Sequence, residues 1–479
     1  MEVKKPGDQW LSRLLLPAVS LLCAVANAAP PANRDSNAEI VMKITAPFTV
    51  TAVGDIIEPQ PLYSDDPAFR KLVERIRQAD VGFGNMESSL VDFRTFQGPV
   101  AGTEAPLETG DAIKAMGITL MSRANNHAFD GGVMGMISTD EALDKLGIAH
   151  AGTGRNLQEA RAARYVETPK GRVGLVSVYS VDDSSSYGPN FAKTEATYRN
   201  GNLGGAPGLN PLHLTTYHVV SPEQVQTLRQ IAVSVYGNRG SGTPVAAGVT
   251  GPDRFRFFDE WYQGGTDVGS LHYEMNPNDE RDILQSIRNG KTFADFLIAT
   301  IHTHQTTEYD AQGVRGVVDH NAADFLVKLA HDSIDNGADM FVAHGVHALH
   351  GVEIYNGKPI FYGLSNFVFQ FGLQVESAYD IMATAKEKSA HENPGNQETV
   401  LTTSRFEGGK LKEVRLYPVD LGGSRRPISQ MGIPLTPSPA EAQRILKELQ
   451  EFSQPFGTKI SLEDNVGVIR VDADGRGMT

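Results

Sequence analysis

The chain is predicted to be an α/β protein. Five short apolar runs rich in β-branched residues each finish in a carboxylate, an asparagine amide or a histidine, and amphipathic helical patterns lie between them. In an open α/β sheet ligands collect beyond the carboxyl ends of the strands, so such endings need only share a sheet to become one site. The most informative stretch is Ala343-His344-Gly345-Val346-His347, which places two imidazoles just beyond the apolar run Met340-Phe341-Val342.

Taken in order, the first run is Thr49 to Val53, ending in Gly54-Asp55. A helix over Pro67 to Gln78 follows, with Phe69, Leu72, Val73 and Ile76 on one face. The second run, from Val81, ends in Asn85-Met86-Glu87, and the third, Ile118 to Ser122, ends in Ala124-Asn125-Asn126-His127 with Asp130, Gly131 and Gly132 beyond it. Helices are expected over Thr139 to Leu146 and Asn156 to Arg164. The rhythm then lapses between about Asp182 and Asn276, where only Ser221 to Gly237 reads as helix. So long an irregular stretch, with aromatics from Phe255 to Tyr262, reads as a lid over a cleft.

Phe296 to Ile301 resumes the pattern and ends in His302-Thr303-His304. Asp319 to Asp335 reads as helix, and the Met340 run leads to His344 and His347. Asn356-Gly357 then marks a tight hairpin. Strands around Glu398 to Ser404 and Leu411 to Pro418 precede a helix from Ser438 to Phe452, opened by Ser438, Pro439 and Glu441 as a capping signal.

Neutral histidines suit zinc, manganese or iron, and alternation along a strand puts residues 302 and 304 on one face. Read alone, His344 and His347 are also compatible with ordinary loop histidines. Asp130 either orients His127 or serves as a turn or cap residue before a helix.

In order, Gly54-Asp55-Ile56, Asn85-Met86-Glu87, Ala124-Asn125-Asn126-His127 with Asp130, His302, His344-Gly345-Val346-His347 and the tail from Lys358 through Asn366 to Phe369 resemble the motifs of the CapA family. These are poly-γ-glutamate capsule biosynthesis proteins, and the resemblance spans roughly residues 48 to 370. It implies a calcineurin-like metallophosphoesterase fold, a layered α-β-β-α sandwich, here with an inserted lid-like segment and a C-terminal extension. It also implies two divalent ions, manganese, iron or zinc. Asp55 would bind the first, and Glu87 would bridge. Asn126, His302 and His344 would serve the second, and His347 would complete the first. His127, aided by Asp130, would protonate the leaving group, while Asn85, His304 and Asn366 would hydrogen-bond the ligands. Two departures stand out: Asp55 is followed by Ile56 and Ile57 where many of these enzymes have Asp-x-His, and the family's His-Trp-Gly becomes His302-Thr303-His304. His304 could be an extra ligand, a hydrogen-bond partner of one, or structural.

The chemistry suits those residue types. Two divalent ions about 3.5–4 Å apart clamp attacking and leaving oxygens, and lower the pKa of a bound water from about 15.7 towards 7. A bridging carboxylate offsets their mutual repulsion, and an imidazole supplies the proton that a departing alkoxide needs.

Residues 1–28 carry Lys4, Lys5 and Arg13, an apolar core from Leu14 to Val25, and Ala26-Asn27-Ala28, the pattern of a secretory signal peptide. Export to the periplasm or cell exterior, with envelope association, is therefore expected. Its removal takes the net charge from −14 to −15, which disfavours nucleic acid as a partner. Cys23 is the one cysteine, so metals in the mature chain must use nitrogen and oxygen ligands.

The expected organisation is signal peptide 1–28, linker 29–46, metallophosphoesterase-like parts at 47–181 and 277–420 around the insertion 182–276, and an extension 421–479. The function expected is a metal-dependent hydrolase of phosphoester type in poly-γ-glutamate or cell-envelope polymer metabolism. Its substrate would be an anionic polymer or phosphoester, and capsule-synthesis membrane proteins are further candidate partners. The alternatives are a non-catalytic accessory of polymer synthesis or export, and a γ-glutamyl amide hydrolase or transferase.

Overall fold

The computed structural model describes residues 41–100, 103–182, 196–197, 204–236, 252–258, 260–307, 319–370, 397–427 and 430–472. The signal-peptide segment 1–28 and most of the 29–46 linker lie outside them.

The expected alternation opens the chain. Strand β1 (Phe48–Ile57) leads to α1 (Pro67–Gln78), whose bounds are those predicted: Asp66 accepts from the Ala68 amide, Pro67 sits in the first turn, and Phe69, Leu72, Val73 and Ile76 are buried. Next come β2 (Val81–Met86), β3 (Ser89–Val91), β4 (Glu104–Pro106), α2 (Glu108–Met116), β5 (Leu120–Ser122) and α3 (Gly132–Leu146). They are followed by β6 (Ala149–Ala151), β7 (Thr153–Gly154), α4 (Leu157–Arg161), β8 (Arg164–Thr168) and β9 (Gly171–Asp182).

Residues 182–276 correct an expectation. Their described part is largely regular: β10 (Gly208–Leu209), β11 (Pro211–Val220), α5 (Pro222–Tyr236), β12 (Arg254–Phe257), β13 (Glu260–Gly264) and β14 (Leu271–Met275). The run Leu214-Thr215-Thr216-Tyr217-His218-Val219-Val220 has strong strand preference. Dense flanking glycine and proline, and histidines at polar positions, hid its alternation.

The chain continues through α6 (Pro277–Thr292), β15 (Phe296–His302), α7 (Asp324–Asp335), β16 (Met340–His344), β17 (Val352–Tyr355), β18 (Lys358–Phe361), β19 (Asn366–Phe369), β20 (Glu398–Glu407) and β21 (Lys410–Asp420). It ends with α8 (Pro439–Ser453), β22 (Ser461–Glu463) and β23 (Val466–Arg470). Asn356 and Gly357, at φ 49° and 72°, make the predicted turn between β17 and β18. The predicted capping box of α8 is present, with Ser438 and Glu441 satisfying each other's amides.

Two large sheets result. A nine-stranded sheet has the order β22-β23-β21-β20-β1-β2-β5-β6, with β19 also beside β1. A ten-stranded sheet has the order β12-β13-β11-β9-β15-β16-β18-β17, with β14 beside β11 and β8 beside β9. One apolar cluster joins residues of both sheets, including Phe48, Val50 and Phe83 with Leu175, Phe296, Ile298 and Val342. A second packs the outer face of the first sheet on α1, α2 and α3 through Leu72, Ile76, Ile113 and Leu143; a third packs the other sheet on α6 and α7 through Ile283, Ile287, Phe325 and Leu329. The layers therefore run helix, sheet, sheet, helix. Helix α8 closes one end, with Ile445, Leu446 and Leu449 in the inter-sheet cluster.

The strands run so that their carboxyl ends meet. Asp55 is level with Asn85 and Asn366, Asn85 with Ser122, and, in the other sheet, His302 with Tyr179 and His344. At the opposite end of β15 and β16 a buried ion pair ties α6 to both strands. Lys291 Nζ lies 2.6 Å from Asp339 Oδ2, each side chain 1% exposed, and that oxygen also accepts from the Leu297 amide at 2.9 Å. Lys291→Met leaves a buried carboxylate with the Leu297 amide and the more distant Lys358 Nζ, 3.4 Å from Asp339 Oδ1, to offset it. The variant is expected to lose about 3–5 kcal/mol, read as a lower urea midpoint at unchanged slope.

Candidate metal centre

Asp55 reaches the cleft because β1 passes against the turn before β19. A Cβ on Gly54 would sit 2.0 Å from the Ser365 carbonyl oxygen, and that oxygen accepts from the Asp55 amide at 3.0 Å. Asp55 Oδ1 accepts from Asn85 Nδ2 at 2.8 Å, and Oδ2 accepts from the Gly345 amide at 3.1 Å. Gly345 has φ +109°, and a Cβ there would lie 2.5 Å from the Thr303 oxygen, so only glycine aims that amide at Asp55 without strain.

Asn85 is itself held. Its Oδ1 accepts from Asn125 Nδ2 at 3.0 Å, and Asn125 Nδ2 also donates to the Met86 carbonyl at 2.7 Å. Glu87 sits on the following turn, fully buried, with the carbonyls on either side of it, those of Met86 and Ser88, accepting from the buried Arg123 guanidinium at 3.2 and 3.3 Å.

The imidazole protons follow from their partners. Thr300 Oγ1 donates to the Val342 carbonyl at 2.7 Å, so towards His344 Nε2, 2.9 Å away, it accepts. His344 Nε2 therefore carries the proton, and Nδ1 presents its lone pair 3.6 Å from Asp55 Oδ1 and 3.1 Å from His302 Nδ1. His347, at φ 54°, donates from Nδ1 to Asn366 Oδ1 at 2.7 Å, which leaves Nε2 as its lone pair. Histidine ligands of metals are ordinarily oriented in this way, through the ring N–H.

Burial dominates the electrostatics. It pushes Asp55 up to about 7 against the pull of Asn85 and Gly345, and it pushes Glu87 well above the carboxylate range, helped by the charges of Asp55 and Asp130. It also takes His344 down to about 3 and His347 to about 4, and holds His302 and His304 neutral, well below the usual histidine range. Neutral imidazoles and carboxylates short of positive charge are the donor set that a divalent cation satisfies.

The buried polar atoms agree. Both oxygens of Glu87 and Asn126 Oδ1 have no hydrogen-bond partner among the described residues, and the Asn85 amide, 3.2 Å from His302 Nδ1, marks that nitrogen as the unprotonated one, with Nε2 3.3 Å from Glu87 Oε1. Leaving such atoms unsatisfied costs about 1–3 kcal/mol each, and more for charged groups, so the residues fit a bound metal. Ligand atoms converge in three overlapping sets: Asp55, His302 and His344; Glu87, His302 and His304; and Asp55, Glu87 and His347. Every metal-ligand candidate named from the sequence except Asn126 falls in one of these sets, as does His304, while Asn126 offers its bare amide oxygen. Asn85 and Asn366 bond to Asp55 and His347 as described.

Beside the cluster, His127 Nδ1 lies 2.6 Å from Asp130 Oδ2, which also accepts from Thr103 Oγ1 at 2.6 Å. Helix α3 is preceded by Gly131 and has no side-chain cap, so Asp130 orients His127 rather than capping the helix. The contact through Nδ1 leaves Nε2 as the ring nitrogen of His127 that is turned away from Asp130. Thr300, Thr103 and Arg123 carry no signal in the sequence, and Asn125 and Gly345, although they stand in its motifs, show their positioning roles only here.

A family model described as bacterial capsule synthesis protein PGA_cap matches residues 49–371, the span that holds the whole cluster. The proteins y4sH and y4uA of Sinorhizobium fredii (strain NBRC 101917 / NGR234) are each 38% identical over 460 residues, 88% of this chain and 93% of theirs. The PGA biosynthesis protein CapA of Bacillus subtilis (strain 168) is 23% identical over 311 residues, 64% of this chain and 58% of its own. With its ligand-bearing strand ends all inside the matched span, the chain belongs to the CapA family of bacterial capsule synthesis proteins.

Proposed function

We propose that the protein is an exported metal-dependent hydrolase of the phosphoester type, built on a calcineurin-like fold and acting in poly-γ-glutamate capsule or cell-envelope polymer biosynthesis. The observation that carries this is Glu87: a fully buried carboxylate whose two oxygens have no hydrogen-bond partner among the described residues, shared by two sets of converging ligands. One carboxylate between two nitrogen-bearing sets is what a dinuclear centre needs to offset cation repulsion. Its relative CapA of Bacillus subtilis is named for PGA biosynthesis, which supports the polymer assignment.

Asp55, Glu87, Asn126, His302, His344 and His347 would hold the ions. Two divalent cations supply Lewis-acid stabilisation of phosphoryl oxygens and a water acidic enough to act at neutral pH. The protein's own part is orientation and proton delivery. Asn85 and the Gly345 amide fix Asp55, Asn366 fixes His347, and Asp130 holds His127 so that, when the ring carries a proton on both nitrogens, Nε2–H can pass its proton to the leaving oxygen and leave a neutral imidazole behind. The start of β11 pairs with the end of β9, Pro211 level with Tyr179 and Leu214 with Asp182. Beyond Leu214, β11 therefore runs on past the level of His302 for roughly 20 Å at about 3.3 Å per residue, a wall beside the site on which a chain-like substrate can lie.

His127→Ala is expected to lower turnover of an activated phosphodiester by about 10²–10⁴-fold with metal content unchanged. Wild-type protein that holds metal yet turns over no phosphoester would defeat the enzyme reading and leave an accessory role.

Metal uptake also has a sign in pH. Asp55, pushed up to about 7, is partly protonated near neutrality, and burial also raises Glu87 well above the carboxylate range, so both must ionise to bind. Binding is therefore expected to release protons, and apparent affinity for manganese or zinc to rise as pH is raised through 7. Calorimetric titrations in two buffers of different ionisation heat measure this, and affinity that is flat from about pH 6 to pH 8 would contradict it.

A further inference from the structure

We propose that His304 is a metal ligand of this centre, completing with Glu87 and His347 the set of one ion, while Asp55, His302 and His344 hold the other. The inference rests on the metal-centre reading above and follows from counting lone pairs. A neutral imidazole offers a single lone pair, so His302 serves one ion, although it stands in two of the three converging sets. Its Nδ1 lies 3.1 Å from the His344 lone pair and 3.9 Å from Asp55 Oδ1, and His344 Nδ1 lies 3.6 Å from the same oxygen. Two ligands about 2.1 Å from one metal stand roughly 3.0–3.4 Å apart, so the histidine pair already has the spacing of neighbouring ligands.

With His302 committed there, Glu87 must find its nitrogens elsewhere. Two rings remain. The His304 ring centroid lies 4.9 Å from that of His302 and 5.7 Å from that of His347, and its ligand nitrogen falls within 4.8 Å of a Glu87 oxygen. Position 57, which could have supplied an imidazole from β1, is an isoleucine packed in the apolar cluster beneath α1. His304 thus replaces from the second sheet a nitrogen that the first sheet does not provide, and Glu87 joins the two ions.

The test is metal stoichiometry and spectroscopy on the full chain, using cobalt(II) and zinc(II) as probes, for wild type, His304→Ala and His304→Gln. Wild type should take two ions. Both variants should keep one at unchanged affinity and bind the other about 100-fold or more weakly, beyond the range typical of losing a mere hydrogen-bond partner. The cobalt spectrum should lose one imidazole's contribution, and added imidazole should restore the second ion to His304→Ala. Two ions bound at wild-type affinity with an unchanged cobalt spectrum would overturn the proposal and leave the hydrolase reading standing. So would loss of both ions, because the Asp55, His302 and His344 set should survive. A wild type that takes up no metal would instead remove the reading on which the proposal rests.

Discussion

The constraint on which the structure depends is the burial of Asp55, Glu87, His302 and His344 in one cleft, each about 0–1% exposed. Isolated buried charge is among the most expensive things a fold can contain, and it persists where it is paired or coordinates metal. Around this cleft each group is therefore held by something local: Asp55 by Asn85 and the Gly345 amide, His344 by Thr300, His347 by Asn366, and the turn of Glu87 by Arg123. These contacts leave the lone pairs facing inward with their protons turned away. The strain at His347 and the tight approach at Gly54 are tolerated because well-packed strands on either side over-determine them.

Donor types divide between the two sheets. Strand ends of the nine-stranded sheet bring oxygen donors, Asp55, Glu87 and Asn126. The ten-stranded sheet brings nitrogen, His302, His304, His344 and His347. Neither sheet alone can hold an ion well. Their mutual register then matters more than any single ligand, and it is set by large aromatic contacts, Phe48 on Phe296 at 5.4 Å and Phe296 on Phe406 at 5.0 Å, and by the Ser122–Ser177 hydroxyl pair at 2.9 Å. The hydrogen bond from the Gly345 amide to Asp55 crosses the same divide next to the ligands.

How much of this the sequence disclosed follows from the range of each interaction. Helix α1 was legible to the residue because its cap, its proline and its apolar face are all local, and Asn356-Gly357 was legible because a two-residue turn is chemistry of adjacent residues. The ligand types could be read because each ends a strand. Strands β11 to β14 could not, because their partners supply what their own pattern lacks, and a histidine in a strand looks polar until its carboxylate is found, as with His218 and Glu260. The role of Asp130 was open in sequence because a turn residue and an imidazole partner look alike there. It was decided only by Thr103, twenty-seven positions away, and by the absence of a side-chain cap on α3. Buried positioning groups such as Arg123 and Thr300 leave no periodic trace at all.

The division of donors between sheets has a thermodynamic consequence. If ions bind only when both sheets present their ligands, their binding free energy adds to folding free energy and acts on the sheet-to-sheet packing, since that packing assembles the site. At a free metal concentration of about 100 times the dissociation constant the gain is about 2.7 kcal/mol per site, a sizeable share of the total stability of a typical domain. Much of the coupling would run through Glu87: its turn belongs to the first sheet, its candidate nitrogen partners belong to the second, and two unpartnered oxygens let it join both ions. A buried carboxylate that weakens the metal-free fold then strengthens the loaded one, which is a physical reason to keep so costly a cluster at the centre of the molecule.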